Sequence, residues 1–184
     1  MSFLPLALLA VLMLVALSVI GLYNSLVSIK VKISEAWSQI DVQLKRRVDL
    51  IPNLVETVKG YASHEKDIFE NVASARAALM GARTPEEAGK ADAMLGGALK
   101  SLFAIAEAYP ELKAQEGFIN LQKELSDTED KVSYSRQFFN SVVRQFNEKI
   151  VVFPNNLIAG MMGFKTETFF QTEEAEKAPV KVQF

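Results

Sequence analysis

Residues Phe3–Ile51 read FLPLALLAVLMLVALSVIGLYNSLVSIKVKISEAWSQIDVQLKRRVDLI, and the fold turns on how this stretch changes character without a break. From Phe3 to Leu22 it carries no charge. At about 1.5 Å per helical residue that run extends roughly 30 Å, the thickness of a bilayer's hydrocarbon core. A transmembrane span over about residues 3–22 is therefore expected, inside an anchor covering 1–29. A cleaved signal peptide is the rival reading, with Ala16, Leu17 and Ser18 as a small-x-small triplet. No basic region precedes the run, however, and it is longer than the apolar core of a signal peptide, which is about 7–15 residues. Beyond the span, Leu26, Ile29, Ile33, Trp37, Ile40, Leu44, Val48, Ile51, Val55 and Val58 recur at steps of three or four, one buried face of a long amphipathic helix. No Gly or Pro interrupts Leu22–Ile51, so the membrane helix is expected to run straight into the domain. Pro52 deletes a backbone donor and predicts a kink rather than a stop, because the stripe keeps its phase, with the end near Gly60.

Working outward, the whole chain has 184 residues, 20 basic against 22 acidic, and a formal charge of −2. That balance argues against a nucleic-acid binder, which would show a basic stripe. With no Cys and one His, disulfides, thiol nucleophiles, thiolate metal sites and a multi-histidine metal site are excluded within one chain. The mean hydropathy of +0.13 blends two polymers, since 22 of the first 29 residues are apolar and every charge lies from Lys30 onward. No basic residue precedes the span, while Lys30, Lys32, Lys45, Arg46 and Arg47 follow it against Glu35 and Asp41. The positive-inside rule then puts the N-terminus outside and the C-terminal domain in the cytoplasm.

The remainder reads as helix. A second helix is expected from an N-cap at Ser63, burying Ile68, Val72, Ala75 and Leu79. Thr84 and Pro85 are placed as the cap and first position of a third, with Glu86 and Glu87 favourable for its dipole. That helix carries Ala88, Ala91, Leu95, Ala98, Leu102, Ile105 and Tyr109 inward. Its Gly96 and Gly97 suggest close approach of a neighbouring backbone. A fourth, from about Glu111 to Phe153, buries Phe118, Leu121, Leu125, Val132, Ser135, Phe139, Val142, Phe146, Ile150 and Phe153. Short connections imply antiparallel neighbours, hence an all-α, up-and-down four-helix bundle over 30–153 continuous with the anchor. Merging the first two helices into one kinked rod gives a count of three. The fourth helix must then return toward the bilayer. The apolar segment 154–170 would lie at the membrane surface, with Leu157, Ile158, Met161, Met162, Phe164, Phe169 and Phe170 entering the interface, meeting another subunit or covering the bundle's open end. Residues 171–184 read as an acidic, disordered tail.

Candidate chemistry is sparse. His64 beside Glu65 invites a general-base reading, but neighbours on a helix point about 100° apart, and a helix-start or surface histidine is the plainer assignment. Arg46 and Arg47 read as a solvated face or one buried ion pair at the kink; Lys45 follows Asp41 by four residues, a favourable helix pair. Phosphate loops, HExxH and nucleophile elbows are absent. No enzyme, cofactor or metal is expected.

The run Tyr23–Glu65, YNSLVSIKVKISEAWSQIDVQLKRRVDLIPNLVETVKGYASHE, resembles the signature of the LemA family of bacterial membrane proteins. The resemblance rests on Tyr23, Asn24, Ala36 and Trp37, on Ile40 to Arg47 including Asp41, Lys45 and Arg46, and on Leu50 to Val55 with Pro52 and Asn53. It continues through Tyr109, Pro110, Leu112, Lys113, Phe118, Leu121, Leu125, Glu129, Arg136, Phe139, Asn140, Phe153 and Pro154. It implies a single-pass inner-membrane protein with a cytoplasmic helical bundle and no established enzymatic activity. A magnetosome-associated member hints at membrane organisation. The expected partners are the lipid bilayer and further copies of the chain as a homo-oligomeric scaffold, or alternatively another membrane protein such as a quality-control protease.

Overall fold

A computed structural model describes residues 3–170. The acidic tail expected at 171–184 lies outside the described residues. Among them there are six helices and no strand: α1 Phe3–Lys59, α2 Lys66–Gly81, α3 Pro85–Glu107, α4 Pro110–Lys113, α5 Glu116–Val151 and α6 Asn155–Met161. The all-α class expected from the sequence is what the chain adopts.

α1 is one 57-residue helix, about 86 Å long at 1.5 Å per residue. It is long and apolar enough to cross a membrane, and its most apolar 18-residue window has no buried residue. Further along it buries Leu26, Ile29, Ala36, Ile40, Leu44, Val48, Ile51, Leu54 and Val58. The expected stripe is thus widened to take in Ala36, Arg47 and Leu54, while Ile33, Trp37 and Val55 are half-buried. The cause is contact on two sides: α5 covers one flank of α1, and α2 with α3 the other.

Pro52 does not end the helix, which runs on to Lys59. Because proline has no N–H, the carbonyl four residues back, on Val48, loses its helical donor. Arg76 of α2 supplies the replacement, donating from Nε to the Val48 oxygen at 3.2 Å. The break in the ladder thereby becomes a tie between helices.

α2 starts at Lys66 rather than Ser63, and its cap position, Glu65, makes no side-chain capping bond. It buries Phe69, Val72, Ala75 and Leu79; Ile68 is only partly covered. α3 opens as expected. Thr84 accepts from the Glu87 amide and the Glu87 carboxylate accepts from the Thr84 amide, a reciprocal capping box with Pro85 following. These bonds hold the Glu87 carboxyl below the usual carboxylate range, the amides of Arg83 and Thr84 being the main cause. Its buried face is Ala88, Ala91, Asp92, Leu95, Leu99, Leu102 and Ala106, rotated slightly from the expected one, so Ile105 is half-buried and Tyr109 exposed. The fourth expected helix is divided: α4 is a single turn beginning at Pro110, and α5 begins anew at Glu116.

α5 runs antiparallel to α1. Phe139 meets Trp37, Glu129 meets Arg47, and Lys149 donates to Ser25. The end of α5 therefore returns to the point where α1 leaves its apolar run. Two apolar clusters result. The larger lies where α2 and α3 cover the α1–α5 pair; the smaller joins Leu26, Ile29, Val142, Phe146, Ile150 and Ala159 at the far end. Phe153, expected inside, is 74% exposed, because α5 has ended at Val151 and the chain turns into α6.

Candidate functional site

Among the described residues, charged side chains from three different helices converge in the interior around Arg47. Arg47 of α1 lies on the buried stripe, three residues after Leu44 and four before Ile51. Its side chain is 93% buried, and the guanidinium bonds the Asp92 carboxylate of α3 at 2.6 Å and Glu129 of α5 at 2.5 Å. Arg136, two helical turns beyond Glu129, approaches the other Asp92 oxygen at 3.6 Å. Two cations and two carboxylates from three helices thus form one cluster. Asp92 is almost wholly buried. That burial pushes its carboxyl above the usual range, against the opposing pull of Arg47 and Arg136. The Nε of Arg47 is buried without a hydrogen-bond partner.

A half-open crevice of about 530 Å³ rises beside the cluster between α3 and α5, with Gly96, Gly97, Lys100 and Phe103 among its walls. The sequence suggested that the two glycines admit a neighbouring backbone, and the structure corrects this. A methyl group on Gly97 would meet nothing within 4 Å, and one on Gly96 would meet only the Arg47 guanidinium, at 3.9 Å. No packing contact offsets the cost of roughly 1 kcal/mol per helical glycine.

Arg136 also connects the cluster to a second feature. Beyond α6 the chain turns at Gly163, whose φ of 74° suits glycine, and runs as an extended strap along α5. Asn147 donates to the Glu167 carbonyl and accepts from the Glu167 amide, both at 2.9 Å. Asn140 does the same to Phe170, at 3.1 and 2.8 Å. The register is a matter of lengths: seven helical residues rise about 10.5 Å, and three extended residues span about 10 Å. Each asparagine thus satisfies one residue's backbone as a neighbouring strand would. Phe170, the last described residue, is 97% buried, against Trp37 at 6.4 Å and beneath the Arg136 guanidinium at 5.5 Å. Lys30 pairs with Glu167 at 3.1 Å, and Phe164 packs on Tyr23 and Phe146.

The residues singled out from sequence divide accordingly. Trp37 joins the strap seat, Arg47 the ion cluster, and Pro52 the Arg76 tie. Asp41 pairs with Lys45 at the surface, and Arg46 reaches Glu124 only at 4.0 Å. Asn53 is exposed, and its carbonyl accepts from the Thr57 hydroxyl. His64 is exposed in the α1–α2 turn. In the 154–170 segment Leu157, Met161, Met162 and Phe169 are exposed, Ile158 and Phe164 half-buried, and Phe170 enclosed. Asp92 escaped notice in an Ala-rich helix, although a lone carboxylate four residues after Ala88 and three before Leu95 sits on that helix's apolar stripe. Asn140 and Asn147 are seven apart, hence on one face, a spacing that could have flagged the clasp. Among the described residues no group of three or more His, Asp or Glu is placed to hold a metal ion.

The class these features define is an all-helical protein whose first helix is of membrane-crossing length and apolarity and passes directly into a helical domain. The LemA family model matches residues 36–184, and the chain belongs to that family. It is 27% identical over 165 aligned positions to Protein LemA of Metamycoplasma hominis, covering 88% of this chain and 74% of that one. It is also 27% identical to Magnetosome protein MamQ of Magnetospirillum gryphiswaldense, covering 86% of this chain and 68% of the relative, and 26% identical to MamQ 1 of Paramagnetospirillum magneticum.

Proposed function

We propose that the protein is a non-enzymatic scaffold that is anchored in the bacterial inner membrane by residues 3–22, self-associates, and organises the bilayer from its cytoplasmic face. The observation that carries this reading is the company kept by the apolar end of α1. Val151, Val152, Phe153, Leu157 and Met161, all more than half exposed, gather beside the point where α1 leaves its apolar run, because Tyr23 contacts Phe164 and Lys149 contacts Ser25. An anchored α1 puts that patch at headgroup depth, where α6 enters the interface as a short amphipathic foot. A rigid rod with two membrane contacts at one end transmits the arrangement of its neighbours to the lipid. The magnetosome names of two relatives support placing it among proteins that serve a cellular structure.

The chain has no cysteine, so single-Cys variants report topology cleanly. A maleimide that cannot cross membranes should label Cys at Ser2 in intact cells and Cys at Ser133 only after lysis; the reverse pattern overturns the orientation. Sizing in mild detergent should give a particle of several chains, and a strict monomer sinks self-association. Crosslinking in cells that recovers a stoichiometric foreign membrane protein in place of like chains replaces the scaffold with an adaptor.

A further inference from the structure

We infer that Gly21, Ser25, Ser28 and Lys32 of α1, together with Lys149 of α5, form a seat for the headgroup phosphate of an anionic phospholipid. The inference rests on the anchoring of residues 3–22 proposed above, and neither on self-association nor on which side of the membrane the domain faces.

The four α1 residues recur at steps of four, three and four, which sets them on one face of the helix. Lys149 marks that face, because its ammonium donates to the Ser25 hydroxyl. Lys30 points to the other flank and pairs with Glu167 of the strap. Depth follows from helical rise. Ser25 stands about 4.5 Å beyond Leu22 and Lys32 about 10.5 Å further, so an anchored span carries the Ser25–Lys149 pair to the lipid phosphates and Lys32 to the outer headgroup layer.

Unanswered charge and unused donors select the occupant. Lys149 is half-buried, yet among the described residues no carboxylate lies within 4.0 Å of its ammonium or of the Lys32 ammonium. The Ser25 hydroxyl takes one of the three N–H bonds that an ammonium can give and leaves its charge uncompensated. Ser25 is half-buried and Ser28 exposed, and neither hydroxyl donates to an acceptor among the described residues. Residues 22–32, 145–153 and 162–167 hold four lysines against two glutamates, with Glu35 a turn beyond. One turn toward the span from Ser25, a methyl on Gly21 would meet nothing within 4 Å; the helix wall recedes there, where the glycerol end of an acyl chain fits. Val152 and Phe153, which follow Lys149 closely and are 55% and 74% exposed, supply apolar contact beside it. A second copy seated on this face about an axis along the membrane normal would set Lys149 and Lys32 against their own counterparts, a like-charge contact. A lipid phosphate neutralises them instead.

The test reconstitutes the full chain in phosphatidylcholine bilayers containing a trace of acyl-chain spin-labelled phosphatidylglycerol or, in parallel, the matching phosphatidylcholine. Electron spin resonance reads the share of each lipid immobilised on the protein, and flotation with the bilayers checks anchorage. A chain that fails to float overturns the anchorage and the seat with it; one that floats without a lipid preference overturns the seat alone. Phosphatidylglycerol should be favoured at least about threefold at low salt, declining as salt is added. Lys149→Gln should at least halve that ratio. Lys149→Arg should keep it, and Lys123→Gln, about 39 Å away along α5, should leave it unchanged although the net charge falls equally. The same ratio in Lys149→Gln as in wild type, or equal loss in Lys149→Gln and Lys149→Arg, overturns the proposal. Gly21→Leu should also lower the ratio; if it shrinks the particle in detergent and leaves the ratio intact, the face is a contact between copies and the seat is refuted.

Discussion

The two halves of the α1–α5 pair solve the same problem differently. Far from the apolar end, α2 and α3 lie over the pair, and the large core there includes Ile40, Ile51, Leu95, Val132 and Phe139. Near the apolar end, no helix of comparable length covers the pair among the described residues. Six buried residues from Leu26 to Ala159 form the core, and α6 with the strap closes the seam. Two helices alone expose too much of each other's apolar face for independent stability. The lesson lies in the kind of bond each half uses. The covered half can bury charge, as in the Arg47 cluster, because three helices surround it. The thin half draws on backbone satisfaction by Asn140 and Asn147 in place of bulk.

The comparison breaks most readily at Arg47. Replacing it with Ala leaves the buried Asp92 only the longer Arg136 contact at 3.6 Å, and loss of one partner of a buried pair costs about 3–5 kcal/mol. Chemical denaturation should show that loss for R47A, with much of it recovered in R47M/D92L; equal stability of wild type and R47A would mean the cluster is not structural. At the thin end, N140A/N147A removes the four clasp bonds. Their net worth is about 0.5–1.5 kcal/mol each, expressed as local opening. Hydrogen exchange at the Glu167 and Phe170 amides should therefore rise sharply while exchange at Leu95 or Val132 stays fixed. Equal acceleration in both regions would erase the division between them.

The Pro52 tie sharpens the same contrast within the covered half. Arg76→Ala orphans the Val48 carbonyl at a cost of about 1–3 kcal/mol. In P52A/R76A the restored residue-52 amide recovers most of it, a coupling that a thermodynamic cycle measures. If P52A/R76A is no more stable than R76A, Arg76 acts through packing alone. Thr84→Ala, at the start of α3 near the junction of the halves, loses its capping box for about 1 kcal/mol, seen as a lower melting temperature.

Acidity gives the finest test. The folded Asp92 carboxyl titrates above its unfolded value, so the native state holds more protons in the interval between the two. Its contribution to stability therefore rises as pH falls through the folded pKa and levels off below the unfolded one. Wild type should gain on D92N across that interval, in denaturation series matched for salt. A gain in the opposite direction would mean that Arg47 and Arg136 outweigh burial.

Much of this architecture is legible in the sequence because it is periodic. Uncharged length defines the apolar helix, steps of three and four define the buried stripe of α1, and the Thr84, Pro85, Glu87 pattern marks the start of α3, since each rests on local geometry that any chain must obey. Single-residue breaks were harder to read. The α4–α5 interruption at Ala114 and Gln115 carries no Gly or Pro of its own, and Pro110 alone does not say where helix resumes. Of the family pattern, Trp37 and Phe139 could be placed on buried stripes and Arg47 in a buried ion pair or on a solvated face, whereas Glu129, Arg136 and Asn140 could be named only as a set.

What the sequence determined by itself is the helical class, the membrane-length helix and its fusion with the domain, all properties of neighbours along the chain. Tertiary structure alone decided that Arg47 meets Asp92 across 45 residues, that Arg76 completes the ladder broken by Pro52, and that Phe170 turns inward onto Trp37. Each of those depends on which faces of separate helices meet, and a periodic pattern fixes the existence of a face without fixing its partner.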